Sequence, residues 1–165
     1  GALLGMIVVF VTGLLRPSGA ATRVFLIGGC LGSGLCLALL SYGGMQGGQW
    51  PLEPNVMALG FCNGIFAVAA IGMMMGLASE GARAREGTRM GVFGAAQSLG
   101  FAIGAGFGAL ALDVLRAATG ALAQSYAIVF VIEGTLFLAA AILAWRVIAV
   151  SHAEPDRPAI AIPGE

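Results

Sequence analysis

The sequence predicts an all-α transmembrane protein with about five membrane helices. Three observations carry that expectation. Hydrophobic residues make up 59% of the 165 residues and charged residues 10%, whereas a soluble domain carries about 25% charge. Four stretches, Val24–Tyr42, Val56–Ala78, Met90–Leu112 and Ser125–Ile148, are apolar and hold no lysine or arginine in their central parts. Each matches or exceeds the ~20 residues that a helix needs to cross a hydrocarbon core. The arginines, finally, fall on alternate connections. Mean hydropathy is +0.96.

The first element, Gly1–Leu15, is apolar from its first residue. No charged segment precedes it, so it lacks the pattern of a signal peptide. It is expected to be a truncated helix, and the chain a fragment of something longer. Arg16–Arg23 follows as a short turn built on Pro17 and Gly19. After the second span comes Gly43–Asn55, where Trp50 and neighbouring Tyr42 suit a membrane–water interface. The third connection, Ser79–Arg89, is the most charged stretch. The fourth is expected at Asp113–Gln124. Residues 1–150 are thus the transmembrane portion. Residues 151–165, with Pro155, Pro158 and Pro163, are expected to be a disordered cytoplasmic tail.

Eight arginines balance eight acidic residues, and lysine is absent. Without a basic field, nucleic acid is excluded as a partner. Arg16, Arg23, Arg83, Arg85, Arg89, Arg146 and Arg157 lie on one side, and Arg116 alone on the other. The positive-inside rule puts the larger group in the cytoplasm. The first residue is then outside and the C-terminus inside. Cys30, Cys36 and Cys62 sit in apolar runs without C-x-x-C spacing and are expected to be small core residues.

Polar groups inside spans are costly, so each one is a candidate site residue. Glu133 lies about eight residues into the last span, roughly 12 Å deep at 1.5 Å per residue. It is either protonated or hydrogen-bonded to another helix, and its possible roles are proton coupling, coordination of a pigment metal, or an interhelical hydrogen bond. Gln97 and Asn63 are expected to lock helix pairs or to line a cavity. Asp113 and Arg116, three apart on one helix face, suit a structural pair near the outer interface. Arg83, Arg85 and Arg89 belong to a charged segment with Glu80 and Glu86, readable as a solvated loop, a helix cap or a gate. Glycines at spacing four, including Gly28/Gly32, Gly60/Gly64, Gly72/Gly76 and Gly100/Gly104/Gly108, are expected to let helices approach closely. With Gly91, Gly94 and Gly106, they make the fourth span an expected interior helix.

No P-loop, H-E-x-x-H or G-x-S-x-G motif is present, and no histidine lies in a span. Metal chemistry and catalysis are therefore not expected. A magnesium-centred pigment would have Asn63, Gln97, Glu133, a backbone carbonyl or water as ligands.

Five spans with a short arginine-bounded turn, Gly13-Leu-Leu-Arg16-Pro-Ser-Gly19 followed by Arg23, resemble spans eight to twelve of a twelve-helix major facilitator superfamily protein. Three further stretches point more narrowly. They are Gly87-Thr-Arg-Met-Gly-Val-Phe-Gly-Ala-Ala-Gln97, Gly108-Ala-Leu-Ala-Leu-Asp113 with Arg116, and Tyr126-Ala-Ile-Val-Phe-Val-Ile-Glu133-Gly-Thr-Leu-Phe-Leu. These resemble the PucC/LhaA-type light-harvesting complex assembly proteins, the bacteriochlorophyll-delivery branch of that superfamily. The resemblance covers about residues 56–150. It implies a non-enzymatic assembly factor in a bacterial inner membrane, cytoplasmic or intracytoplasmic. Bacteriochlorophyll is the implied cofactor or cargo, and antenna polypeptides or a reaction-centre complex are the implied partners. Gly91, Gly94, Gln97, Asp113 and Glu133 match the family pattern. The alternative is a proton-coupled facilitator in which Glu133 carries the proton. A purely structural helical spacer is a third reading.

Overall fold

Lipid forces a spanning chain to satisfy its backbone hydrogen bonds internally, so apolar segments become helices even where glycine and β-branched residues are dense. The computed structural model describes residues 1–15, 19–46, 50–79 and 85–153. They form α1 (Ala2–Leu15), α2 (Gly19–Met45), α3 (Leu52–Ser79), α4 (Glu86–Thr119) and α5 (Leu122–Ala153), with no strand among the described residues. Gly19–Met45, Leu52–Gly76, Glu86–Thr119 and Leu122–Arg146 are each long and apolar enough to cross a membrane. The 14-residue α1 is shorter. The fold class is all-α transmembrane.

The helices outrun their expected limits. α2 begins at Gly19 rather than Val24, which leaves little of the expected first connection. α4 takes in Asp113 and Arg116, both expected in a connection, and reaches Thr119. Its 34 residues span about 51 Å at 1.5 Å per residue, well beyond the ~30 Å hydrocarbon core. Charge at Asp113 ends the apolar run, but Ala- and Leu-rich sequence carries the helix on. What stops it is Gly120. At φ 64° and ψ 0° its backbone is left-handed, and its N–H donates to the Arg116 carbonyl, 3.0 Å away. The turn that follows is tied down by the Thr119 and Ser125 hydroxyls, 3.0 Å apart, and by Ser125 Oγ donating to the Ala121 carbonyl at 3.0 Å. α5 continues through residues 151–153, which were expected in the tail. Residues 154–165, together with Arg16 and Arg83, lie outside the described residues.

α2 is the centre of the bundle, packed most extensively against α3 and α5, while α1 lies on α3. Contacts run antiparallel between α2 and α3 (Gly29 on Phe66, Gly32 on Cys62) and between α2 and α5 (Gly34 on Gly134, Ser41 on Ala127). α1 runs parallel to α3, with Gly1 against Met57 and Gly5 against Phe61. Arg23, Arg85, Arg89 and Arg146 therefore gather at one end of the bundle and Arg116 lies toward the other. Glycine makes the α1–α3 seam possible. A Cβ on Gly5 would strike the Phe61 carbonyl, and one on Gly64 the Ala2 carbonyl. At the α2–α5 seam, a Cβ on Gly34 would lie 3.3 Å from the Gly134 carbonyl oxygen.

The fourth span, expected to be an interior helix, is not enclosed by the other helices of this chain. No residue of α4 is buried within this chain. A Cβ at Gly91, Gly94, Gly100, Gly104 or Gly108 would meet nothing within 4 Å. The same holds for Gly28, Gly72 and Gly76. Spacing identified the stripes but not which of them meet a helix of this chain.

Valine at position 64 should wedge α1 from α3 and lower stability by about 1–3 kcal/mol, the usual cost of overpacking. Gly104→Val, on the open face, should stay within about 0.5 kcal/mol of the parent. Thermal unfolding of the two variants in mild detergent checks the contrast, and equal losses would contradict the packing described.

Candidate functional site

α2 and α3 meet through a polar contact in the apolar bundle. Ser33, fully buried on α2, donates from Oγ to Asn63 Oδ1 on α3 at 2.8 Å. The amide of Asn63 is thereby used in one of the two ways its sequence position allowed, as a bond between helices. It also borders a half-open cleft of about 360 Å³ between α3 and α4, to which α1 and α5 also contribute residues. Gln97 on α4 borders the same cleft, with Phe66, Phe101 and Phe137. Phe66 and Phe137 meet edge to face, with centroids 6.4 Å apart and planes at 83°. Asn63 and Gln97, 34 positions apart in sequence, are thus brought to one apolar cleft. Gln97 makes no hydrogen bond with any described residue.

Glu133 stands apart from them. It is exposed on α5, in a shallow groove with Leu136, Phe137 and Ala140, and has no hydrogen bond or ion pair among the described residues. The interhelical bond that was one alternative for it is not made among the described residues. Phe137, one helical turn away, borders both the groove and the amide cleft.

The charged candidates are spread over α4. Arg85 is its N-cap residue, with no side-chain capping bond, and Glu86 lies in the first turn. Arg89 borders a third cleft, of about 480 Å³, with Met74, Thr88 and Phe93. Asp113 and Arg116 are both exposed and form no salt bridge with each other, contrary to the pairing expected from their spacing. Each is free to extend outward because no helix of this chain covers that part of α4.

Sequence reasoning missed a second polar lock. Asn55, buried at the start of α3, donates to the Cys36 carbonyl at 3.2 Å and accepts from Trp50 Nε1 at 3.0 Å, in the orientation that satisfies both ends of its amide. Trp50 in turn meets Tyr42 edge-on at 5.9 Å. The signal available was Trp50 five residues before an asparagine at a helix start, where an amide can reach back to the preceding turn. Cys30, Cys36 and Cys62 are free thiols. Among the described residues no cluster of three or more His, Cys, Asp or Glu side chains could hold a metal ion.

A bundle of long apolar helices, with no strand among the described residues, defines an all-α transmembrane protein. The family described as PUCC protein matches residues 1–152, and the chain belongs to that family. It is 46% identical over 132 residues to the "Bacteriochlorophyll synthase 44.5 kDa chain" of Rhodobacter capsulatus. That match covers 79% of this chain and 30% of the relative, so the chain spans about a third of the relative's length. No solved structure matches it.

Alanine at Ser33 should cost about 0.6 kcal/mol and at most about 1.7, the average and the maximum for hydrogen bonds between membrane helices. In a double-mutant cycle with Asn63→Leu, the two losses should be coupled. Strict additivity in reversible unfolding would mean that the bond contributes nothing.

Proposed function

We propose that this chain belongs to a membrane-embedded, non-enzymatic factor that assists assembly of bacterial light-harvesting or photosynthetic complexes by handling bacteriochlorophyll or antenna polypeptides. The single observation that carries the reading is membership of the PUCC family over residues 1–152. The relative's name ties a related protein to bacteriochlorophyll. That name also contains the word synthase. In our reading this chain contributes binding surface rather than turnover, because the polar side chains bordering the amide cleft and the neighbouring groove are two amides and one carboxyl in apolar surroundings.

Residues 1–150 would form the C-terminal transmembrane half of a twelve-helix, facilitator-like protein, and residues 151–165 a cytoplasmic tail. The arginine-rich end of the bundle would face the cytoplasm, as the positive-inside rule directs. The exposed small-residue face of α4, with Gly100, Gly104 and Gly108, suits close approach by a single apolar helix such as an antenna polypeptide. A second reading, a proton-coupled transporter, draws on Glu133, which has no partner among the described residues. In that case Glu133→Gln should abolish pH-dependent uptake.

The native full-length protein, extracted gently from phototrophic membranes, should bring antenna polypeptides and near-infrared bacteriochlorophyll absorption with it. Gly104→Val should reduce that capture several-fold without changing the amount of protein in the membrane. A colourless protein that purifies alone would end the assembly reading. Formation of bacteriochlorophyll from its precursors by the purified protein would end the non-enzymatic one.

A further inference from the structure

The amide cleft has a chemistry more specific than an apolar hollow. Ser33 is fully buried and its hydroxyl is already committed to Asn63 Oδ1 at 2.8 Å. This bond sets the amide, with its oxygen turned to α2 and its Nδ2 hydrogens left for a ligand. Gln97 brings a second amide whose donors are unused among the described residues. No carboxylate or histidine borders the cleft, and Glu133 lies in the neighbouring groove. Magnesium asks for oxygen lone pairs; Asn63 Oδ1 is already engaged by Ser33, which leaves Gln97 Oε1 as the cleft's open amide oxygen, whereas both amides present N–H donors above a rim of three phenylalanines.

We propose that the cleft between α3 and α4 holds the carbonyl-bearing edge of a bacteriochlorophyll ring, with Asn63 and Gln97 donating to its keto, acetyl or ester oxygens and the magnesium left unligated by this chain. The inference rests on the pigment-handling reading above. The cleft's 360 Å³ lies near the lower end of the roughly 300–1,000 Å³ of small-molecule sites. It accepts one edge of the macrocycle and leaves the metal centre and the prenyl tail outside. Phe66, Phe101 and Phe137 offer the flat contacts that a π-system favours over an acyl chain. A pigment held by its edge keeps its metal open for a ligand on the receiving polypeptide, which suits a carrier better than a permanent binding protein. Phospholipid esters present the same acceptor group, so the test must separate the two sources.

The full-length protein in phosphatidylcholine nanodiscs is titrated with bacteriochlorophyll a and, separately, with its magnesium-free form, bacteriopheophytin a. Binding is read from the shift of the long-wavelength absorption band and from pigment retained through gel filtration. Both pigments should bind with affinities within about threefold of each other. Gln97→Leu, whose side chain has no partner to lose, should weaken both about tenfold, the effect of one hydrogen bond. The pair Ser33→Ala with Asn63→Leu, which leaves no orphaned hydroxyl, should do the same. Binding of the magnesium pigment alone would overturn the proposal in favour of metal ligation, with pigment handling intact. Equal binding to the parent and to both variants would also overturn it. So would retention of neither pigment, including the case in which mass spectrometry finds a phospholipid held in a Gln97-dependent way. Co-purification with antenna polypeptides, which needs no pigment in this cleft, decides the broader reading separately.

Discussion

Close backbone approach at α2 is the constraint on which the rest of the bundle depends. In a bilayer, apolar side chains are no better off against one another than against lipid, so burial alone cannot choose helix partners. Shape and hydrogen bonds must do it. α2 carries both, with Gly29, Gly32 and Gly34 against α3 and α5, and Ser33 and Ser41 donating across the same two interfaces. Ser41 Oγ reaches the Ala127 carbonyl at 2.9 Å, and Ser33 reaches Asn63 at 2.8 Å. The two bonds lie two helical turns apart on α2 and fix its register against α5 and α3 respectively. α1 is then positioned at second hand, through its glycine seam with α3.

α4 obeys a different rule. It is joined to α5 by the Gly120–Ala121 turn and touches α3, yet nothing in it is buried. A 34-residue helix whose apolar residues include Phe101, Phe107 and Leu110, each at least 60% exposed, presents a long face to whatever surrounds the bundle. Its glycines keep that face low in relief. A helix of this kind costs little to leave in lipid and little to cover with another helix, because both surroundings are equally apolar. Exchange between lipid and partner is therefore nearly neutral in burial energy. Specificity has to come from fit and from the few polar groups along the way.

Much of this was legible in the sequence. The membrane class followed from composition, since 10% charge cannot clothe a water-facing surface. Each long span was found because hydropathy measures the environment directly. Span ends were less legible: Asp113 and Arg116 marked the end of apolarity, not of helix, and the helical stop at Gly120 is a backbone property that hydropathy does not see. Glycine spacing revealed stripes on several helices, but a stripe is a property of one helix and a seam of two. Gly60 and Gly64 found α1, while Gly100, Gly104 and Gly108 found nothing within this chain. The meeting of Asn63 and Gln97 was beyond sequence reasoning for the same reason, and so was the lock made by Asn55 with Trp50 and Cys36.

Which polar groups the fold consumes is itself an argument about function. Leaving a polar side chain unpaired in hydrocarbon is costly, and a hydrogen bond between helices relieves the cost. Ser33, Ser41 and Asn55 are relieved in this way, and all three are buried where helices meet. Gln97 and Glu133 are not. Each lies beside an apolar hollow bordered by Phe137. A purely structural residue in either place would do better as leucine, which satisfies lipid and cleft alike. Asn63 belongs to both sets, bonded to Ser33 and bordering the cleft, while Gln97 and Glu133 both lie beside Phe137. Within this chain the open polar groups therefore lie on the α3–α4–α5 surface, and the paired ones cluster around α2.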